Sequence, residues 1–281
     1  MNEHHVQVER KPYLPRSSLA DTGKTRVPGE SEVIALIHET VDRILPTHRT
    51  ITVLEAGGGS DTMLRLRRST HVVVMDINPA QLERNHYANE KIVGNLEIDA
   101  IPRRKFDLVV CWNVLEHLTR PTAALRNMAE HLADDGLLLI GCPDLYSAKG
   151  VVTKLTPHWL HVWYYRTICG HAHAGEFGHA PFVTYLHRET SLSAVSRWAR
   201  HLGLETVLIA GYRGPAVDSL RRKSALGYAV YRSFALAMQI GSLGLVEPDS
   251  SDYVILLRKR AAESTTKHNV DRDDCATLRV G

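Results

Sequence analysis

In the first half of the chain, segments with apolar residues at helical spacing alternate with short, nearly continuous apolar runs. A helical stripe covers residues 30–45 and ends at Pro46. The pattern that follows predicts strands at 51–54, 71–75, 106–111 and 137–141, and helices at about 60–68, from 78 onward and at 119–132. The strands are nearly continuous in apolar residues, which is typical of strands with helices on both faces. The alternation therefore predicts an α/β domain with a mostly parallel sheet.

The alternation of strands and helices stops after residue 142. Residues 143–187 are rich in His, Tyr, Trp and Gly; a helix at 190–202 and strands at 204–210 and 252–258 then resume the pattern. The organisation predicted is an N-terminal arm or lid at 1–29, one domain at 30–258 with insertions at about 143–187 and 212–247, and a disordered tail at 259–281.

Composition narrows the class of protein without indicating a ligand. Hydrophobic residues are 44% and charged residues 23% of the 281, as in a typical globular chain. The formal charge of +3 gives no reason to expect nucleic acid as a partner. Four cysteines without a CxxC pair and a polar N-terminus favour a cytoplasmic protein. The charge-free stretch at 233–246 is shorter than the roughly 18–20 residues that a transmembrane helix needs.

A glycine-rich turn follows the first predicted strand. The run VLEAGGGSD at 53–61 would let backbone approach a ligand closely, and a helix beginning there would offer free N–H groups to it. Nineteen residues after Gly57, the next strand ends in Asp76, where a carboxylate can accept both hydroxyls of a ribose. A dinucleotide fingerprint would have Gly or Ala where Thr62 stands. The fit to a dinucleotide site is therefore incomplete, and an NAD(P)-dependent oxidoreductase is the less favoured of the candidate functions.

Four segments resemble those of the class I S-adenosylmethionine-dependent methyltransferases. They are VLEAGGGSD (53–61), VVVMDINP (72–79), FDLVVCWNVLEHL (106–118) and LADDGLLLIGCPD (132–144). The resemblance implies an enzyme with a doubly wound, Rossmann-like sheet of seven strands in the order 3-2-1-4-5-7-6, its last strand antiparallel. It also implies S-adenosylmethionine as the cofactor.

The same resemblance assigns parts of the cofactor to positions in this chain. The glycine loop would shape the pocket for the methionine part, Asp76 would bind the ribose, and Ile77 would lie beside the adenine. Asn95 stands where the family more often has Asp, on the adenine amine. The end of the fourth strand would face the methyl group. The cofactor-binding residues predicted are Glu55, Ala56, Gly57, Gly59, Asp76, Ile77, Asn95, Leu96, Cys111, Trp112, Asn113 and His117.

The first insertion follows the fifth strand, where the fold that the resemblance implies binds its acceptor. His158 and His161 are three apart and would share one face of a helix among Trp and Tyr residues. Such a pocket suits a hydrophobic or ring-bearing small molecule, and a histidine is well matched to take a hydroxyl proton near neutral pH. We therefore predict O-methylation in secondary or cofactor metabolism, with His161 as the base and His158 beside it. A helical cap in which these histidines are only structural is the alternative.

Two features of the sequence leave further alternatives open. The segment 113–117 resembles the ExxEH segment of metal-assisted methyltransferases, but Asn113 replaces its first Glu. We therefore predict no metal, with Glu116, His117 and His179 as the alternative ligands. The second insertion joins a basic trio at 221–223 to a long apolar stretch. It would form a helical cap, or else lie on a membrane surface or grip a lipid tail, so a lipid or quinone methyltransferase is a further alternative.

Overall fold

The computed structural model describes residues 27–99, 101, 104–176, 179, 181–244 and 246–261. Seven strands in this part of the chain form one sheet in the order β3-β2-β1-β4-β5-β7-β6. They are β1 (Ile51–Ala56), β2 (Thr70–Asp76), β3 (Glu90–Val93), β4 (Phe106–Trp112), β5 (Leu132–Pro143), β6 (Leu204–Tyr212) and β7 (Asp252–Lys259). Strands β1 to β5 pair in parallel, and β7 is antiparallel to both β5 and β6. The strand order and the antiparallel last strand confirm the prediction.

Eight α-helices in the described residues connect and cover the strands. They are α1 (Glu30–Ile44), α2 (Pro79–Arg84), α3 (Pro121–Glu130), α4 (Ala148–Leu155), α5 (His158–Tyr164), α6 (Leu192–His201), α7 (Pro215–Lys223) and α8 (Ala225–Gly241). The domain helices and strands begin and end within a few residues of the predicted bounds, except that β5 is longer. The apolar pattern did not locate β3, a four-residue strand with alternating burial.

Apolar side chains fill a core on each face of the sheet. On one face the stripe of α1, with Val33, Ile37 and Val41, packs against strand residues. On the other face α3 and α6 contribute, among others, Met128 and Val195. Burial on both faces explains why the strands are nearly continuous in apolar residues.

The helix expected over about 60–68 is absent, and this prediction was wrong. These residues form turns and irregular backbone. The Glu55 carboxylate accepts hydrogen bonds from the N–H groups of Met63 (3.2 Å) and Leu64 (3.5 Å), and the Asp61 carboxylate accepts one from Thr62 N–H (2.8 Å). Side chains thus satisfy these N–H groups without a helix.

The two insertions pack on each other as a helical cap. The first contains α4, α5 and a π-helical turn, Tyr165–Cys169, and the second contains α7 and α8. The Tyr164 hydroxyl donates to the Ala216 carbonyl (2.8 Å), and the Lys223 ammonium donates to the Cys169 carbonyl (2.7 Å). The insertions follow β5 and β6, so their first residues leave the sheet at its carboxyl edge.

The ends of the chain are described only in part. Residues 1–26, most of the predicted arm or lid, and 262–281, most of the predicted tail, lie outside the described residues. The Arg213 N–H donates to the Pro28 carbonyl (2.9 Å), which joins the start of α1 to the end of β6. Among the described helices, none combines the length and apolar character needed to cross a membrane.

Candidate active site

The loop after β1 depends on glycine at two positions. Gly57 and Gly59 have φ angles of +76° and +54°, in the left-handed region that favours glycine. A Cβ at Gly57 would lie 2.5 Å from Cγ2 of Val114. The Gly57 N–H donates to the Met75 carbonyl (2.7 Å), which fastens the loop to the end of β2. The loop therefore brings bare backbone to the carboxyl edge of the sheet.

A cavity of about 380 Å³ lies beside this loop. Its lining consists of Glu55, Ala56, Gly57, Gly58, Asp61, Thr62, Met63, Arg65, Val110 and Trp112. Four residues of the predicted cofactor set, Glu55, Ala56, Gly57 and Trp112, are thus brought together. Asp61, Thr62, Met63 and Arg65 were not predicted, because a helix was expected there. Their place in the lining follows from the irregular backbone that replaces the helix.

Asp76 ends β2 with its carboxylate turned toward the glycine loop. It accepts hydrogen bonds from the N–H groups of Gly59 (3.0 Å) and Asn78 (2.8 Å). Burial raises its pKa above the usual value, and these N–H groups oppose that rise. Asn78 also caps α2, so the carboxylate and the helix start are fixed together. Ile77, predicted to lie beside adenine, is 67% exposed between them.

Glu55 is buried and holds the loop that follows the glycines. Burial raises the pKa of its carboxyl group to about 7, against the opposing effect of the Met63 and Leu64 N–H groups. The prediction placed Glu55 in the cofactor pocket, and it does line the cavity. Its hydrogen bonds also fix the backbone at Met63 and Leu64, and Met63 forms part of the cavity wall where a helix was expected.

Asn95 and Leu96 follow β3 in a tight turn. The Asn95 N–H donates to Asp99 (2.6 Å), and its side-chain oxygen accepts from the Glu97 N–H (2.9 Å). Leu96 is buried in the core. The Gly94 N–H donates to the Asp76 carbonyl (3.0 Å), so this turn lies next to the end of β2. The adenine contact of Asn95 and Leu96 stays a prediction, and the Leu96 side chain points into the core.

The end of β4 divides its residues between the core and the cavity. Cys111 is fully buried in the core, and burial raises the pKa of its thiol. Trp112, the next residue, lines the cavity, as alternation along a strand requires. Asn113 then turns the chain with a φ of +54°. Of these three residues predicted to face the methyl group, Trp112 has its side chain in the cavity and Cys111 does not.

The turn after β4 carries a buried carboxyl group. Burial raises the pKa of Glu116, whose Oε2 lies 3.7 Å from the Cys142 sulfur. His117, predicted to lie near the cofactor, has Nδ1 2.7 Å from the Val183 carbonyl and Nε2 3.8 Å from the Glu116 carboxylate. The Tyr185 N–H donates to the Glu116 carbonyl (2.8 Å). The end of the first insertion therefore lies over this turn.

The alternative metal ligands do not come together. His179 lies beside His173, with ring centroids 5.5 Å apart, and not with Glu116 and His117. Within the described ranges, no three side chains of His, Cys, Asp or Glu are close enough to hold a metal ion.

His158 and His161 lie on α5, with ring centroids 6.2 Å apart. The Thr156 hydroxyl donates to the Val152 carbonyl (2.6 Å), so its oxygen accepts from His161 Nε2 (2.7 Å). The basic nitrogen of His161 is then Nδ1. Burial and the neighbouring His158 lower the pKa of His161, which keeps the ring neutral near pH 7. Neither ring is among the described side chains that line the cavity.

An ion pair that the sequence did not predict lies at the same edge of the sheet. The Lys149 ammonium of α4 donates to the Asp252 carboxylate (2.6 Å), which also accepts from the Ser251 hydroxyl (2.5 Å). Asp252 lies opposite Tyr212 where β7 pairs with β6. The Tyr212 ring lies 5.9 Å from that of Trp112. Asp252 could have been noticed in the sequence, because it is an acidic residue directly before the apolar run of β7. Nothing in the sequence pointed to its partner, 103 residues away.

The sheet order, the glycine loop and Asp76 together define a Rossmann-like protein with a site for a nucleoside cofactor. A family model described as a methyltransferase domain matches residues 30–208, more than half of the chain. The chain therefore belongs to the methyltransferase-domain family, and it is an S-adenosylmethionine-dependent methyltransferase.

Solved structures that resemble this chain include several methyltransferases. The N-methyltransferase NodS from Bradyrhizobium japonicum WM9, in complex with S-adenosyl-L-homocysteine, is 16% identical, with 81% of this chain and 87% of that chain covered and a TM-score of 0.42. A putative sarcosine dimethylglycine methyltransferase from Galdieria sulphuraria is 15% identical, with 82% and 84% covered and a TM-score of 0.47. The cyclopropane synthase MmaA2 from Mycobacterium tuberculosis is 14% identical, with 88% and 90% covered and a TM-score of 0.47. Similarity at this level does not indicate the acceptor of this chain.

Proposed function

We propose that this methyltransferase acts on a hydroxyl group of a small, hydrophobic or ring-bearing molecule. The observation that carries the proposal is the position of Trp112. Its side chain lines the cofactor cavity, and its ring lies 5.9 Å from the buried ring of Tyr212. An acceptor entering between Trp112 and the cap would meet aromatic surface next to the methyl group.

The residues at the site fit the cofactor. Asp76 would accept the ribose hydroxyls, and the backbone of Gly57 and Gly58 would lie against the amino-acid part. The cofactor, when bound, supplies a methyl group on a positively charged sulfur that is already a good leaving group. The contribution of the chain is then to hold the acceptor in line with that methyl group and to exclude water.

We propose His161 as the base that takes the hydroxyl proton, with His158 as its neighbour. The Thr156 hydroxyl holds His161 Nε2, which leaves the lone pair on Nδ1 available. The lowered pKa of His161 keeps that nitrogen unprotonated at neutral pH. His161 lies on α5 and is hydrogen-bonded to Thr156, the residue after α4, whereas Lys149 lies in the first turn of α4. The acceptor would therefore have to extend along α4 from the sheet edge.

The acceptor is tested with matched molecules and a labelled cofactor. Purified protein is incubated with methyl-deuterated S-adenosylmethionine and, in turn, a phenol, an aniline and a benzoic acid that share one ring system. Mass spectrometry and NMR then locate the methyl group. We expect it on the phenol oxygen. Transfer to nitrogen or carbon alone would overturn the hydroxyl proposal while leaving the methyltransferase assignment in place.

We propose further that the reaction needs no metal and takes place in the cytoplasm. The same assay is run with and without EDTA, and we expect equal rates. Loss of activity on chelation, restored by Mg²⁺ or Mn²⁺, would favour the metal-assisted alternative. The described cysteines Cys111, Cys142 and Cys169 are free thiols, which agrees with a reducing compartment. Quinone and lipid acceptors in the same panel test the remaining alternative.

A further inference from the structure

Helix α8 turns an apolar face outward. Within the helix, Ala235 is the buried residue, while Leu226 is 78% and Ile240 77% exposed. The large exposed apolar side chains are Leu226, Val230, Phe234, Leu236 and Ile240, and Leu243 follows at the end of the helix. A surface helix of a globular protein normally has the opposite arrangement, with its apolar stripe toward the core.

The exposed residues form a continuous face. Leu226, Val230 and Phe234 are spaced four apart and therefore share one side of the helix. Ile240 lies fourteen residues after Leu226, two heptads on, and returns to the same side. Between residues 225 and 246 the sequence has a single charged residue, Arg232. The outer face of α8 thus has no charge along its length.

The inner side of α8 is fixed to the rest of the protein by polar contacts. Arg232 forms an ion pair with Asp249, and the Tyr228 hydroxyl lies 3.4 Å from the same carboxylate. Tyr228 stacks on Tyr231, with ring centroids 6.3 Å apart. The contacts of Tyr228 and Arg232 therefore fix the orientation of α8, with its apolar face outward.

A basic region borders this face. Helix α7 ends in Arg221, Arg222 and Lys223, directly before α8 begins. A cavity of about 520 Å³ next to them is lined by Arg213, Arg221, Tyr228, Ala229, Arg232, Ser233 and Asp249. Asp218 and Asp249 pair with two of these arginines, and within the described ranges no carboxylate is paired with Arg221. The cavity therefore presents the unneutralised guanidinium of Arg221, which suits a phosphate group.

We propose that α8 lies in the interface of a lipid bilayer that contains anionic phospholipids. The uncharged outer face would enter the acyl boundary, and the basic end of α7 with the arginine-lined cavity would bind headgroup phosphates. A phospholipid offers both an apolar chain and an anionic headgroup, and these two surfaces are neighbours. The helix is too short to span a bilayer, so it would lie along the surface. This inference does not depend on the acceptor proposed above.

Vesicle flotation tests the proposal with the full chain. Vesicles of phosphatidylcholine alone are compared with vesicles that also contain phosphatidylglycerol. We expect binding to the mixed vesicles and much weaker binding to phosphatidylcholine. Val230→Glu should abolish binding, whereas Val93→Glu should not, although the two valines are similarly exposed at 64% and 62%. Retained binding of S-adenosylhomocysteine by Val230→Glu would show that this variant is folded.

The charge contribution is tested separately. Arg221→Gln with Arg222→Gln should weaken binding to the anionic vesicles about tenfold or more. Arg197→Gln with Arg200→Gln removes two charges from exposed positions of α6 and should have little effect. No binding of the wild-type chain to either vesicle would overturn the proposal. It would also be overturned if wild type formed a dimer that Val230→Glu dissociates, since a second copy would then cover the face.

Discussion

At the scale of single residues, the Asp76 side chain connects the two segments on either side of the cofactor site. Its carboxylate reaches the glycine loop on one side and the start of α2 on the other. Asp76→Ala should weaken the binding of S-adenosylhomocysteine more than tenfold, because a charge-assisted contact to a ribose contributes on the order of 2 kcal/mol. Calorimetric titration measures the affinity, with Asp134→Ala at an exposed position as the control. An affinity within twofold of wild type would remove Asp76 from the site.

Glu55 gives the protein a specific dependence of stability on pH. Its folded-state pKa of about 7 lies above the ordinary value of 4.5, so the folded chain binds this proton more tightly. The stabilisation is therefore present below about pH 4.5 and is lost as the pH rises to about 7. Over that window Glu55 should lower the free energy of unfolding by on the order of 2–3 kcal/mol.

Urea denaturation at several pH values compares wild type with Glu55→Gln. The difference in the free energy of unfolding between pH 5 and pH 8 should be smaller in this variant. Glu130→Gln, at an exposed position, should follow wild type. An unchanged pH profile in Glu55→Gln would show that Glu55 is ionised at little cost in the folded protein.

Single residues of the site were predictable where the chemistry is local. The glycine loop, Asp76 and Trp112 are each read from a short run next to a strand. The pairing of Lys149 with Asp252 was not, because it joins positions 103 residues apart. Cys111 was placed in the cofactor set although alternation puts its neighbour, Trp112, on the cavity side.

The glycine loop is the element on which the cavity depends. Gly57→Ala should cost roughly 1 kcal/mol or more for the left-handed backbone and should also disrupt cofactor binding, because its Cβ would collide with Val114. Gly203→Ala is the matched control, since Gly203 has a φ of +69° and no atom within 4 Å of such a Cβ. Both variants should lose stability in urea, and Gly57→Ala alone should lose affinity for S-adenosylhomocysteine. Equal affinities in the two variants would contradict this account of the loop.

The irregular backbone at 60–68 shows where sequence periodicity was insufficient. The residues there are compatible with a helix, but the buried Glu55 carboxylate and Asp61 offer the backbone other partners. Such competition depends on which side chains fold back, which a periodic pattern does not contain. The central strands were predictable because their apolar runs alone require burial on both faces.

Helix α5 carries the proposed base. His161→Ala should lower turnover by about 10²–10⁴-fold, and His158→Ala should lower it less, because removal of a general base has an effect of this size. The affinity for S-adenosylhomocysteine should not change in either variant, since neither ring lines the cofactor cavity. His201→Ala, at an exposed position of α6, is the control. Near wild-type turnover in both variants would make these histidines structural.

At the scale of the whole molecule, the two insertions form one cap although a helix and a strand separate them in sequence. Their contacts, such as Tyr164 with Ala216 and Lys223 with Cys169, join distant segments. The sequence indicated where each insertion leaves the sheet. Their mutual packing, and the outward apolar face of α8, depend on tertiary contacts that composition does not specify.

The central claim is that this fold binds S-adenosylmethionine and not a dinucleotide. Isothermal titration calorimetry of one protein preparation with S-adenosylhomocysteine and, separately, with NAD tests it most directly. We expect micromolar binding of S-adenosylhomocysteine at one site per chain and no heat of binding with NAD. Tight binding of NAD with no response to S-adenosylhomocysteine would contradict the claim.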